Sequence, residues 1–150
     1  MEVVTTRFGR IEVNRDRIIK FPKGILGFPD HQEYVLLQTN EEGNFFWLQA
    51  VDRGDLAFVV CDPLLFAPDY QVPVKKEKFE MIHLNSLKEL QVLIIVNKID
   101  RLLTGNLQGP LLINAANRQG VQMVLSEKKF HTRHPLMTLD SQPKAVSKTA

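Results

Sequence analysis

Along most of the chain, short runs of apolar residues, many of them β-branched or aromatic, alternate with clusters of Gly, Pro, Asn and Asp at intervals of roughly ten residues. Short strands joined by tight turns produce that spacing, whereas helices need longer stretches with a period of about 3.6 residues. The runs predict strands at Val3–Phe8, Ile11–Val13, Ile18–Phe21, Tyr34–Gln38, Phe45–Val51, Leu56–Cys61, Val92–Ile99, Leu111–Asn114 and Val121–Leu125. Turn residues separate them at Asn14-Arg15-Asp16, Glu41-Glu42-Gly43-Asn44, Asp52-Arg53-Gly54-Asp55 and Asn117-Arg118-Gln119-Gly120. Helical spacing shows between Lys75 and Leu90, where Phe79, Ile82 and Leu87 share a face behind Pro73, and a short helical turn is expected after Phe28-Pro29-Asp30. The pattern predicts an all-β fold, a small antiparallel barrel-like domain of about nine short strands with one or two short helical inserts.

A chain of 150 residues needs only one core, and no internal repeat divides it. Residues 1–136 read as a single β-rich domain; residues 137–150 offer almost nothing to bury and are expected to be a mobile tail. The hydrophobic share of 44% with 24% charged residues is ordinary for a globular protein, and no apolar run approaches the length that spans a bilayer. The start of the chain lacks a basic segment followed by an apolar one, so a cytoplasmic location without membrane attachment is expected. The lone Cys61 sits in the apolar run Phe58-Val59-Val60-Cys61 and reads as a small core residue.

Charge changes the picture. The net charge of +2 conceals an acidic middle: residues 30–69 carry Asp30, Glu33, Glu41, Glu42, Asp52, Asp55, Asp62 and Asp69 against Arg53 alone, a net −7 between basic flanks. Such a block either occupies solvated turns or attracts a basic partner. The basic residues are scattered and match no nucleic-acid module, so direct nucleic-acid binding is not expected.

Catalytic constellations are incomplete. Leu93-Ile94-Ile95-Val96-Asn97-Lys98-Ile99-Asp100 matches the guanine-recognising strand and N-K-x-D element of GTP-binding proteins, which makes a nucleotide-binding protein the alternative reading. Its phosphate half is missing, because Gly24 and Gly27 lead into Phe28-Pro29 without a Lys-Ser or Lys-Thr pair. His131 and His134 are three apart, but Pro135 pushes His134 toward extended backbone, and no thiolate or carboxylate cluster completes a metal site. Ser86 and Ser126 lack the glycines of a nucleophile elbow. Neither enzyme nor cofactor chemistry is expected.

The order of the punctuation resembles the flagellar assembly factor FliW family from about Thr6 to Leu136. Thr6-Arg7-Phe8-Gly9, Phe21-Pro22-Lys23-Gly24-Ile25-Leu26-Gly27-Phe28, Leu48-Gln49-Ala50-Val51-Asp52, Leu56-Ala57-Phe58-Val59-Val60-Cys61-Asp62-Pro63 and Thr104-Gly105-Asn106-Leu107-Gln108-Gly109-Pro110-Leu111-Leu112-Ile113-Asn114 carry it, with Gly120, Gln122, Leu125 and His134-Pro135-Leu136. Gly105 and Gly109 stand where the family pattern often has Ala. The resemblance implies a non-catalytic, cofactor-free cytosolic protein, monomeric when free. Such a protein binds the RNA-binding repressor CsrA, relieving repression of flagellin translation, and alternatively binds flagellin. An antagonist of a basic RNA-binding surface is served by acidic groups, so Glu41, Glu42, Asp52, Asp55, Asp62 and Asp69 become candidate partner-binding residues, with Asn106 from the Thr104–Leu107 loop. The Phe21–Phe28 motif most simply ends a strand and turns the chain.

Overall fold

The computed structural model describes residues 1–38, 44–73, 75–127 and 129–139. Its strands are β1 (Glu2–Thr5), β2 (Gly9–Glu12), β3 (Ile19–Lys20), β4 (Glu33–Gln38), β5 (Phe45–Ala50), β6 (Ala57–Cys61), β7 (Leu90–Ile99), β8 (Leu102–Gly105), β9 (Leu111–Asn114), β10 (Gln119–Gln122) and β11 (His134–Thr138). One short helix, α1 (Lys76–Met81), and 3-10 turns at Arg15–Arg17, Pro63–Leu65 and Leu87–Glu89 complete the described elements.

β1 and β2 form a separate hairpin, and the other strands make one sheet in the order β11-β8-β7-β6-β5-β4-β3-β10-β9. β7 also pairs with β9, which closes β3, β4, β5, β6, β7, β9 and β10 into a barrel and leaves β8 and β11 as a flap. The length of β7 makes this possible. Its first half pairs Leu90–Leu93 with β9 and its second half pairs Val96–Ile99 with β8, both on one edge. Between Gly105 and Leu111 the chain bulges away from β7 and returns. All pairings are antiparallel except β3 with β10, which meet in parallel at Lys20 and Gln119.

Three apolar clusters follow from this topology. Phe21, Tyr34, Leu48, Val60, Leu93, Leu111 and Ile113 belong to the first. A second joins Cys61, Ile94, Leu112, Val121 and Met123 to Ile82 and half-buried Phe79, from the end and the body of α1. A third sets Val3 and Val13 with Ile18 and Val35, beside the β1–β2 hairpin. Successive residues of β9 alternate between the first two clusters, so the whole strand is buried. That explains its unbroken apolar run, since each such side chain contributes about 1.5–3 kcal/mol on burial.

Two strands escaped the sequence pattern. β8 looks like a turn because Thr104 and Gly105 end it, and β11 contains Pro135, which a strand tolerates at a sheet edge beside a bulge. The domain boundary drawn at 136 falls inside β11, where Met137 and Thr138 pair with Leu103 and Leu102; residues 140–150 of the expected tail lie outside the described residues. The expected helix over 75–90 is cut short. His83 takes φ 53° and the Leu84 N–H bonds back to the Phe79 carbonyl at 3.0 Å, a left-handed stop. Leu87 therefore ends up exposed in a 3-10 turn while Ile82 is buried. No helix follows Phe28: Gly24 at φ 69° and Gly27 at φ 92° fold that segment into tight turns instead.

Candidate functional site

The β5–β6 hairpin carries Asp52 and Asp55 at its tip, and a buried amide shapes it. Gln49 is fully buried, and its Nε2 donates to the Ala50, Gly54 and Leu56 carbonyls at 3.1, 3.1 and 3.2 Å. Gly54 packs so closely on β1 that a Cβ there would meet the Val4 carbonyl oxygen at 2.5 Å, while the Thr6 N–H donates to the Gly54 carbonyl at 3.0 Å. The result is an open hollow of about 600 Å³ bordered by Glu2, Thr5, Thr6, Asp52 and Asp55. Asp52 accepts from or pairs with His31 Nδ1 at 3.1 Å, and Asp55 accepts from Arg53 Nε at 2.9 Å. The Arg53 hydrogen bond, then its charge, hold the Asp55 carboxyl below its usual range. Both carboxylates remain largely exposed.

Asp62 and Asp69 are elsewhere. Asp62 lies beyond the far end of β6, seven positions from Asp55, or about 20 Å at strand rise. Its carboxylate caps the Pro63–Leu65 turn, accepting from the Leu64 N–H at 2.9 Å. Asp69 is exposed in the following turn. Beside them runs an apolar groove of about 530 Å³, walled by Leu64, Tyr70, Val72, Phe79, Leu87 and Leu90. Leu64 is 52% and Leu87 65% exposed, an unusual amount of leucine for open water. Tyr70 anchors the groove: its hydroxyl donates to the Leu107 carbonyl at 2.6 Å, and burial raises its pKa. Burial and then the Asp62 charge push the Cys61 thiol up to about 12, consistent with an inert core residue.

The acidic block is thus split between the two ends of β6. Glu41 and Glu42 lie outside the described residues. Asn106 organises the bulge between β8 and β9, its Oδ1 accepting from the Gln108 and Gly109 N–H groups at 3.0 Å each. Gln122 extends this network, donating to the Gly109 carbonyl at 3.0 Å and accepting from the Leu26 N–H at 2.8 Å. Two family motifs are thereby tied together, with Leu26 held outward at 75% exposure. The buried Thr104 hydroxyl has no partner among the described residues. Gln49 was missed as a site-shaping residue; an amide inside an otherwise apolar strand run was the available signal.

The nucleotide-binding alternative built on the N-K-x-D element is not favoured. Asn97 and Lys98 are exposed at the end of β7 and Asp100 makes the β7–β8 turn at φ 55°. Gly24 is closely packed by backbone, since a Cβ there would meet the Phe28 carbonyl oxygen at 2.5 Å. Among the described residues no three His, Cys, Asp or Glu side chains gather as metal ligands, and no helix is long and apolar enough to cross a membrane.

A closed β-barrel with charged and apolar surfaces at opposite ends of one strand defines a class of small β proteins whose exposed features suit macromolecular contact. Comparison with known proteins assigns the particular family. A family model described as FliW protein matches residues 2–136. The flagellar assembly factor FliW of Alkaliphilus metalliredigens is 40% identical over 140 residues, covering 91% of this chain and 86% of that protein. That of Treponema denticola is 38% identical over 139 residues, covering 91% and 94%. A crystal structure of the flagellar assembly factor FliW superposes with a TM-score of 0.84 at 29% identity, covering 91% of this chain and 97% of that one. The chain belongs to the FliW family, and its role is that of a flagellar assembly factor in flagellum biogenesis.

Proposed function

We propose that this protein is a non-catalytic, cofactor-free cytoplasmic factor. It binds a CsrA-like repressor, relieving its repression of flagellin translation, and alternatively binds flagellin. The observation that carries the reading is the acidic hairpin: Asp52 and Asp55 stand exposed on a tip whose shape is held by Gln49 and Gly54. An RNA-binding dimer presents cations to phosphate, and preorganised carboxylates meet such a surface without an ordering cost. Flagellin, as a filament subunit, exposes before assembly the apolar surface it later buries, and the Leu64–Leu87 groove offers that surface a cover.

Asp52→Lys combined with Asp55→Lys should weaken binding to a purified CsrA-like dimer by about tenfold or more and flatten its salt dependence. Asp62→Lys with Asp69→Lys should do less. Calorimetric titration at two salt concentrations measures both; unchanged affinity in the first variant sinks the assignment of this hairpin.

A further inference from the structure

A cluster of cations that neither partner surface uses sits where β3 meets β10. Arg15 and Arg17 come from the 3-10 turn before β3, Lys20 from β3 itself, and Arg118 from the turn before β10. Arg15, Lys20 and Arg118 border a pocket of about 650 Å³ together with Asp16, Glu33 and Gln119. Among the described residues Arg15, Arg17 and Arg118 have no carboxylate within ion-pair distance, and Lys20 reaches Glu33 only at 3.9 Å.

Arg118 is the unusual member. Its guanidinium donates from Nη2 to the Arg17 carbonyl at 2.8 Å, yet its Nε is buried with no acceptor. A buried donor left unpaired is costly, and more so on a cation beside another arginine. Burial first, then the Arg17 charge, hold its pKa below the usual guanidinium value. The backbone at Arg118 adopts φ 62°, a conformation that glycine takes without strain and arginine does not. Among the described residues no carboxylate pairs with Arg118, which leaves its charge to be balanced by an anion in the pocket it borders.

We propose that this pocket binds one compact, doubly charged oxyanion of the phosphate class, held by Arg118 and Arg15 with Lys20 adding charge. Guanidinium groups match the planar pairs of oxygens on such an anion. The neighbouring charges argue against an extended polyanion. Asp16 and Glu33 stand at the pocket itself, and Glu33 leads to the acidic hairpin, its carbonyl accepting from the Val51 N–H at 2.9 Å. A nucleic-acid strand lying across the pocket would run onto those carboxylates.

The test is a titration of the full chain with inorganic phosphate, and separately with ribose 5-phosphate, against chloride at matched ionic strength. Amide shifts at Arg118 and Gln119 and the melting temperature are the readouts. Saturable shifts with a Kd at or below about 10 mM, and a phosphate-specific rise in Tm, are expected. The first ligand alone indicates the free ion; both indicate the phosphate group of an ester. Arg118→Gly should keep its fold, since glycine suits φ 62°, and weaken binding by about tenfold. Arg15→Gln, on an exposed side chain, gives a second variant and should weaken binding several-fold. The proposal is overturned by no saturable response, by phosphate affinity unchanged in both variants, or by binding of a short RNA without binding of phosphate.

Discussion

At the Asp52–Asp55 end of β6 the surface is charged, hydrated and hydrogen-bonded; at the Asp62 end it is an apolar groove flanked by exposed leucines. The two ends share one strand but obey different physics. Charged contacts act at a distance and weaken with salt, while apolar contacts act only on touching and survive it. A protein with one of each can engage two partners of different chemistry, and the single wall between them gives a route by which one contact could disfavour the other.

The contrast breaks most sharply at the groove. Leu64→Lys with Leu87→Lys should weaken binding of purified flagellin by roughly a hundredfold, about 3 kcal/mol, because exposed anchors in an apolar groove carry most of such an interface. Titration of the same variant with a CsrA-like dimer should show little change; equal losses for both partners would merge the two surfaces into one.

Smaller, and confined to the charged end, is the effect of Gly54→Ala. The added Cβ lands 2.5 Å from the Val4 carbonyl oxygen, on backbone that cannot swing aside. A cost of about 1–3 kcal/mol is expected, lowering Tm by several degrees in calorimetry. Repressor affinity should fall with it while flagellin affinity holds.

Smallest is Arg53→Ala, which removes the hydrogen bond that lowers the Asp55 pKa. The Asp55 carboxyl should move back up toward the ordinary value of 3.8 in a carbon-detected NMR titration. The sign follows from linkage. A depressed folded-state pKa adds stability above the unfolded value, and that contribution is lost as pH falls through the folded value. The wild type's advantage over the variant should therefore shrink on acidification below pH 4 or so. A pKa that does not move would place the cause elsewhere than Arg53.

Much of the barrel was legible because burial leaves a pattern in sequence. Leu111–Asn114 was read to the residue, since Leu111, Leu112 and Ile113, buried on alternate faces, leave an unbroken apolar run before Asn114. Phe45–Ala50 and Ala57–Cys61 were read to within a residue at one end. β8 and β11 were not, because Gly105 and Pro135 speak for turns until a neighbouring strand supplies the edge that tolerates them. Of the candidate site, the acidic character of the Asp52–Asp55 hairpin was legible. The groove beside Asp62 and the shaping role of Gln49 were not, because each depends on which elements lie side by side.

The sequence by itself determined that this chain makes short strands, that its middle is acidic, and that it carries the ordered motifs of its family. Those are local properties, set by side-chain polarity and turn chemistry within a few residues. Tertiary structure alone decided that β7 closes the barrel by pairing with both β8 and β9. The fold also set Arg118 against Arg17, 101 residues away in the chain. Pairing register across such separations is chosen by the joint packing of three apolar clusters, and no single segment contains that information.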